Sequence, residues 1–171
     1  MKSFAYKKGV FYCEDVSIKE LCKIKETPFY LYSSKCIKDK FYALESRLKE
    51  TNYLIAYAVK ANSNVAILKL LASFGAGADV VSLGELRKAN LAGIPYNKVV
   101  YSGVGKKDRE IAFAIDAGIM QFNVESYEEL KRIANIAKDK SKQANVAIRV
   151  NPDVVAGGHP KISTGKKYDK F

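Results

Sequence analysis

Residues 53–82 read YLIAYAVKANSNVAILKLLASFGAGADVVS, and this stretch decides the fold. An apolar segment ends at Lys60, a polar turn follows, and Ile67, Leu68 and Leu71 then recur at helical spacing. Gly75 stops that helix, and a second apolar segment begins at Ala78. Two strands joined through a helix belong to a parallel βαβ unit, because a crossover of this length cannot make a tight hairpin. Alternation across 53–60 puts Ala56, Ala58 and Lys60 on one strand face and Ile55, Tyr57 and Val59 on the other. Lys60 therefore stands on an alanine-lined face with room beside it. An amine desolvated in such a cleft becomes a nucleophile for a carbonyl. The plain alternative is a strand-end lysine that reaches solvent.

The same unit repeats along the chain. Strands are expected at 28–33, 53–60, 78–82, 98–102, 119–124 and 145–151. Helices are expected between them at 34–50, 64–74, 83–92, 107–117 and 126–140. Gly75, Gly93 and Gly118 fall at helix ends, and Ser126 with Glu129 has the spacing of a capping box. Strict strand–helix alternation predicts an α/β protein with a parallel sheet, either doubly wound or a (β/α)8 TIM barrel. Lys60, Ser82, Ser102, Asn123 and Asn151 place polar groups near the C-terminal strand ends, where barrels carry their active sites, and this favours the barrel. A full barrel takes about 250 residues, so the 171 residues are expected to be the first part of a longer protein. Residues 1–26 precede the repeat, with a strand at Val10–Cys13 and a helix around Leu21, and read as a segment outside the barrel that occupies 27–171.

Composition excludes several classes. The chain is 48% hydrophobic and 27% charged, which suits a globular core. No run approaches the roughly 20 apolar residues of a membrane span, and no signal-like segment opens the sequence. Cys13, Cys22 and Cys36 form no C-x-x-C pair, so a reduced cytoplasmic protein without a metal site is expected. The net charge of +11 comes from 29 basic residues of which only five are arginine, scattered over helix faces near Glu and Asp. That is a solvated surface rather than a nucleic-acid footprint. Gly103-Val104-Gly105-Lys106-Lys107 lacks the leading glycine and trailing Ser/Thr of a phosphate loop, and also the third glycine of a dinucleotide fingerprint.

Several ordered segments together carry a family resemblance. Tyr57-Ala58-Val59-Lys60-Ala61-Asn62 resembles the cofactor-attachment segment of the fold-type III pyridoxal-phosphate-dependent amino-acid decarboxylases, whose barrel is of the alanine-racemase type. Thr27–Tyr32, Gly77–Leu86, Phe122–Ser126 and Ile148–Pro152 are similar to further segments of that family in order and spacing. His159–Gly165 with Lys170-Phe171 is most similar to the branch acting on diaminopimelate. The resemblance implies pyridoxal 5'-phosphate bound covalently at Lys60, and decarboxylation of meso-diaminopimelate to L-lysine by a homodimer. It also implies that residues 1–26 open a β domain completed C-terminally, and that this chain alone is inactive. Matched positions make Asp79, Glu85 and Arg149 cofactor-cleft residues and put His159 near the active-site mouth. Plainer roles stand beside these: a turn for Asp79, a helix cap for Glu85, an ion pair for Arg149, a loop brace for His159. An ornithine- or arginine-type decarboxylase, or a non-catalytic pyridoxal-phosphate carrier on the same barrel, is the alternative.

Overall fold

The computed structural model describes residues 3–154, and the sequence divides into two compact units between Tyr53 and Leu54. The first unit opens with strands β1 (Phe4–Lys7), β2 (Val10–Cys13) and β3 (Val16–Ser17) in an antiparallel sheet of order β1-β2-β3. The pairing of Lys7 with Val10 leaves a two-residue loop, Lys8 and Gly9, both at positive φ. Such primed turns match the right-handed twist of the strands they join. The rings of Phe11 and Tyr6, directly opposite across the pair, meet in a tilted contact with centroids 4.9 Å apart, which anchors the hairpin on one face.

Helix α1 (Ile18–Ile24) follows, capped by the Ser17 hydroxyl, and α2 (Ser34–Leu48) is capped by Ser33. A second cap on α2 comes from afar. Glu14 Oε1 accepts from the Ser33 hydroxyl at 2.7 Å and the Lys35 amide at 3.0 Å, placing a carboxylate at the positive end of the helix. The expected strand at 28–33 is not formed: the segment joins no strand among the described residues, and Tyr30 is 91% exposed. Pro28 offers no N–H to a ladder, and an apolar pattern without a face to bury gains nothing from extension.

The second unit is the predicted repeat. Strands β4 (Ala56–Ala58), β5 (Gly77–Val80), β6 (Val99–Tyr101), β7 (Gln121–Val124) and β8 (Val146–Ile148) form one parallel sheet in sequence order. Helices α3 (Val65–Ser73), α4 (Leu83–Leu91), α5 (Asp108–Ala117) and α6 (Tyr127–Asp139) connect them. Leu68 and Leu71, Leu86 and Ala89, Ile111, Ala114 and Ile115, and Ile133 and Ala137 are the buried stripes of these four helices. All but Leu71 pack in one core with Val59, Ala78, Val80, Val99, Tyr101, Phe122 and Val124, and each large apolar side chain so buried contributes about 1.5–3 kcal/mol. Gly118 takes the left-handed conformation at the C-cap of α5, as its place after the apolar pattern predicts.

The sheet leaves little space at the start of β5. A Cβ built on Gly77 would lie 2.3 Å from the Lys98 carbonyl oxygen and 3.0 Å from Leu54. Gly77→Ala is therefore expected to cost at least about 1–3 kcal/mol, seen as a lower urea midpoint of the full-length protein; an unchanged midpoint contradicts this packing. The Lys35 amide and then the Ser33 hydroxyl hold the Glu14 carboxyl below its ordinary range. The cap on α2 is thus intact above the usual glutamate value of about 4.3 and is lost as pH falls through the lower folded value. Carbon-detected NMR titration should give Glu14 a midpoint below that of an ordinary glutamate, and one at or above it refutes the cap.

Candidate active site

Alternation in the parallel sheet sorts its side chains onto two faces. Tyr57, Ala78, Val80, Val99, Tyr101, Phe122 and Val124 face the helices. Ala56, Ala58, Asp79, Val100, Gln121, Asn123 and Ala147 take the other face by register, since Ala58 pairs with Asp79 and Asn123 with Ala147. The chemistry-bearing residues gather on this second face at the C-terminal ends of the strands.

Lys60 leaves the sheet sooner than its sequence pattern predicts. The ladder ends at Ala58, and Val59–Ala61 forms a 3₁₀ turn instead of completing a strand over 53–60. Val59 is wholly buried in the core and takes the backbone out of extension, so Lys60 no longer continues the Ala56–Ala58 face. Its side chain is exposed, so desolvation of the amine is not supplied by the described residues. The turn is nonetheless braced. Asn62 Oδ1 accepts from the Asn64 amide at 3.0 Å, and Asn64 Oδ1 accepts from the Ala66 amide at 2.9 Å to cap α3. Lys88 of α4 donates to Ser63 at 3.1 Å. An amine on a turn anchored at both ends suits covalent chemistry better than one on a free loop.

Asp79 ends a directional chain of hydrogen bonds. Gln121 Nε2 donates to Asn123 Oδ1 at 2.9 Å, and Asn123 Nδ2 donates to Ser102 Oγ at 3.0 Å. The Ser102 hydroxyl then donates to Asp79 Oδ1 at 2.5 Å. Each donor points toward the carboxylate, so the row is mutually reinforcing and orients Asp79 across three strands. Asp79 is therefore more than a turn residue.

Glu85 takes the role of a cap in this structure. Its amide donates to Ser82 Oγ at 3.2 Å, and its Oε2 accepts from the Val81 amide at 2.9 Å, closing the start of α4. Glu129 repeats the arrangement at α6 with Ser126 Oγ and the Glu125 amide. Burial, followed by the Glu110 and Glu85 carboxylates, raises the Tyr101 hydroxyl pKa, so that phenol stays protonated. Arg149 lies one residue past β8, where its amide donates to the Val124 carbonyl at 2.8 Å. Its Nη1 meets Glu125 Oε1 at 3.3 Å, and its side chain is 40% exposed. A recess of about 230 Å³ between the start of α6 and the end of β8 has Glu125 and Arg149 on its wall. His159 lies outside the described residues.

The most tightly held charge is one that sequence reading passes over. Lys106, in the segment rejected as a phosphate loop, is buried with its side chain 1% exposed. Its Nζ donates to Glu129 Oε1 at 2.5 Å, the Gly103 carbonyl at 2.7 Å and the Asn123 carbonyl at 2.9 Å. All three ammonium protons are thereby used, and the loop after β6 is tied to β7 and α6. No group of His, Cys, Asp and Glu among the described residues is arranged to hold a metal ion.

Comparison with known proteins gives these residues a family. The sequence model described as pyridoxal-dependent decarboxylase, pyridoxal binding domain, matches residues 34–171. Diaminopimelate decarboxylase of Aquifex aeolicus is 49% identical over 166 residues, which is 97% of this chain and 39% of that protein. Two crystal structures of diaminopimelate decarboxylase in complex with L-lysine are also similar. That from M. jannaschii has a TM-score of 0.89 at 43% identity, covering 99% of this chain and 41% of its own. That from Helicobacter pylori has a TM-score of 0.86 at 47% identity, covering 90% and 39%. The chain thus spans about two fifths of the length of the relatives it matches. The parallel sheet and its helices form part of the β/α barrel of such enzymes.

Breaking the buried pair separates stability from chemistry. Lys106→Met leaves the Glu129 carboxylate buried without its ammonium and is expected to cost about 3–5 kcal/mol in urea unfolding. Adding Glu129→Leu should return only part of that loss: it removes the uncompensated carboxylate but still leaves the Gly103 and Asn123 carbonyls and the Glu125 amide without these partners. A double variant as unstable as Lys106→Met alone contradicts the account.

Proposed function

The chain belongs to the pyridoxal-dependent decarboxylases, and from that premise we propose that the whole protein converts meso-2,6-diaminopimelate to L-lysine. The observation that carries this reading is Lys60. It is an exposed primary amine on a braced turn at the C-terminal end of β4, neighbouring the strand that carries the Asp79 row. Relatives 43–49% identical to this chain bear the name diaminopimelate decarboxylase, and two of them were crystallised with L-lysine.

The donor set fits pyridoxal phosphate. Lys60 offers an amine for an aldehyde, Arg149 offers guanidinium N–H groups for an anion, and Asp79 offers an oriented carboxylate for a donor or cation. Pyridoxal phosphate, when bound, supplies the electron sink that makes loss of a carboxyl group from an amino acid feasible. Lys60 would hold the cofactor covalently through Nζ, from the turn that follows β4. The Asp79–Ser102–Asn123–Gln121 row keeps one carboxylate in a fixed place at the strand ends. Glu85 serves the site indirectly, by closing the α4 terminus next to Val81. Enclosure of the Lys60 amine comes from other residues of the whole protein.

The same reading makes the active protein a cytoplasmic homodimer acting on a small amino acid, with residues 1–26 belonging to a β domain completed elsewhere in the protein. Among the described residues no helix is long and apolar enough to cross a membrane. The scattered lysines are then surface charge, several of them paired: Asp116 meets both Lys140 and Lys142, and these two hold its carboxyl below its ordinary range.

The deciding experiment uses the full-length protein with pyridoxal phosphate. Wild type should show a visible or near-ultraviolet band from covalently held cofactor and form L-lysine from meso-diaminopimelate. Lys60→Ala should lose both. Lysine formation persisting in Lys60→Ala would sink the assignment.

A further inference from the structure

Glu125 is the least comfortable carboxylate among the described residues of the second unit. Its side chain is only 2% exposed, and its Oε2 is buried with no hydrogen-bond partner. Oε1 accepts two long hydrogen bonds, from the Gly103 amide at 3.4 Å and from Arg149 Nη1 at 3.3 Å. A buried carboxylate with an unused oxygen is costly, and an amide or an apolar side chain would fill the position with less penalty. Such a group calls for an explanation other than packing.

The backbone around it is held firmly. The Glu125 amide donates to Glu129 Oε2 at 2.9 Å, and Glu129 is the buried partner of Lys106. Lys106 also grips the Gly103 carbonyl, while Gly103 itself sits at φ +98° beside Val81. Glu125 is thus placed by the ends of β6 and β7 and the start of α6. The register Asn123 to Ala147 and Val124 to Ile148, continued by one step, sets Glu125 opposite Arg149. A fixed, buried negative charge lies beside a guanidinium that is 40% exposed. One end of that guanidinium is drawn toward Glu125, and both residues lie on the wall of the recess at the start of α6.

We propose that Glu125 is a positioning residue for Arg149: its buried carboxylate sets the guanidinium at the strand ends in the orientation that binds an anionic group of the cofactor. This inference rests on the proposed pyridoxal-phosphate site. Glu125 does not touch the cofactor; it acts through Arg149. The charge, rather than the second oxygen's hydrogen bond, is what the position requires, because attraction between opposite charges in a poorly solvated site does not need a bidentate contact.

A double-mutant cycle in the full-length protein tests this through cofactor affinity, read by absorbance titration of the apoprotein with pyridoxal phosphate. Glu125→Gln keeps the shape and removes the charge, and should weaken binding about tenfold. Arg149→Met should weaken it at least as much. The double variant should bind no more weakly than Arg149→Met alone, because without the guanidinium the carboxylate has nothing to position. Losses that multiply, or wild-type affinity in Glu125→Gln, would overturn the inference. If Glu125→Gln does not fold, Glu125→Asp, which keeps the charge but pulls it back, takes its place in the same cycle: a loss absorbed by Arg149→Met supports the inference, and multiplying losses or wild-type affinity overturn it. Wild type that binds no cofactor would instead remove the proposed site, and the inference with it. Binding in wild type together with multiplicative losses removes the inference alone.

Discussion

One constraint underlies the second unit: alternate residues of β4–β7 must answer to opposite environments. One set, from Tyr57 through Val80 and Tyr101 to Phe122 and Val124, has to fill the layer against four helices. The other set is released from packing against those helices, and it is there that Ala58, Asp79 and Asn123 fall, with Ser102 just beyond β6. A register slip of one residue would send Asp79 into the apolar layer and Ala78 out of it. Packing on one face therefore guarantees the chemistry on the other. Helices on one side also force the parallel connection, so that all five strands present their C-terminal ends together.

At those ends the molecule uses charge in pairs. Lys106 with Glu129 is buried and fully hydrogen bonded, and it holds three main-chain or side-chain groups at fixed height. Such a pair adds little net stability over an apolar substitute, so its value lies in what it orders. It orders the Gly103 and Asn123 peptides, which adjoin the two middle members of the Asp79 row, Ser102 and Asn123. Glu125 with Arg149 is looser, and its guanidinium is partly exposed, as suits the anion-binding role proposed for Arg149.

Much of this is legible from sequence because it depends on period and punctuation. The helices expected at 64–74, 83–92, 107–117 and 126–140 form within a residue or two at each end, since apolar spacing is joined there by Asn64, Ser82 and Ser126 at the N-caps of α3, α4 and α6 and by Gly75, Gly93 and Gly118 after α3, α4 and α5. Of the hairpin of β1 and β2 only Val10–Cys13 stands out in the sequence, because β1 is short and Lys8-Gly9 is a weaker primed-turn signal than Asn-Gly. Residues 28–33 and 53–60 mislead for a shared reason. Apolar alternation reports a tendency to be buried, but a ladder also needs a partner and extended backbone. Pro28 withholds a donor, and Val59 is drawn into the core.

The site residues divide along the same line. Lys60, Asp79 and Arg149 lie in segments whose order matches a family, and the structure sets them at the ends of β4, β5 and β8. Lys106 is hidden because its segment, weighed as a phosphate loop, fails that test and shows no other local pattern. A lysine just after Gly103 and Gly105 in a strand-end loop, with a glutamate in the first turn of α6, has a second meaning that local pattern cannot carry. Its acceptors are 3, 17 and 23 residues away in sequence, so only the fold assembles them. Glu125 belongs to a matched segment that assigns it no role, since burial and the unused oxygen are properties of three strand ends and not of one segment. Residues that act on a ligand leave a trace in local sequence, because the ligand constrains each of them singly. Residues that position others are constrained jointly, and their identity becomes readable only when the distances are.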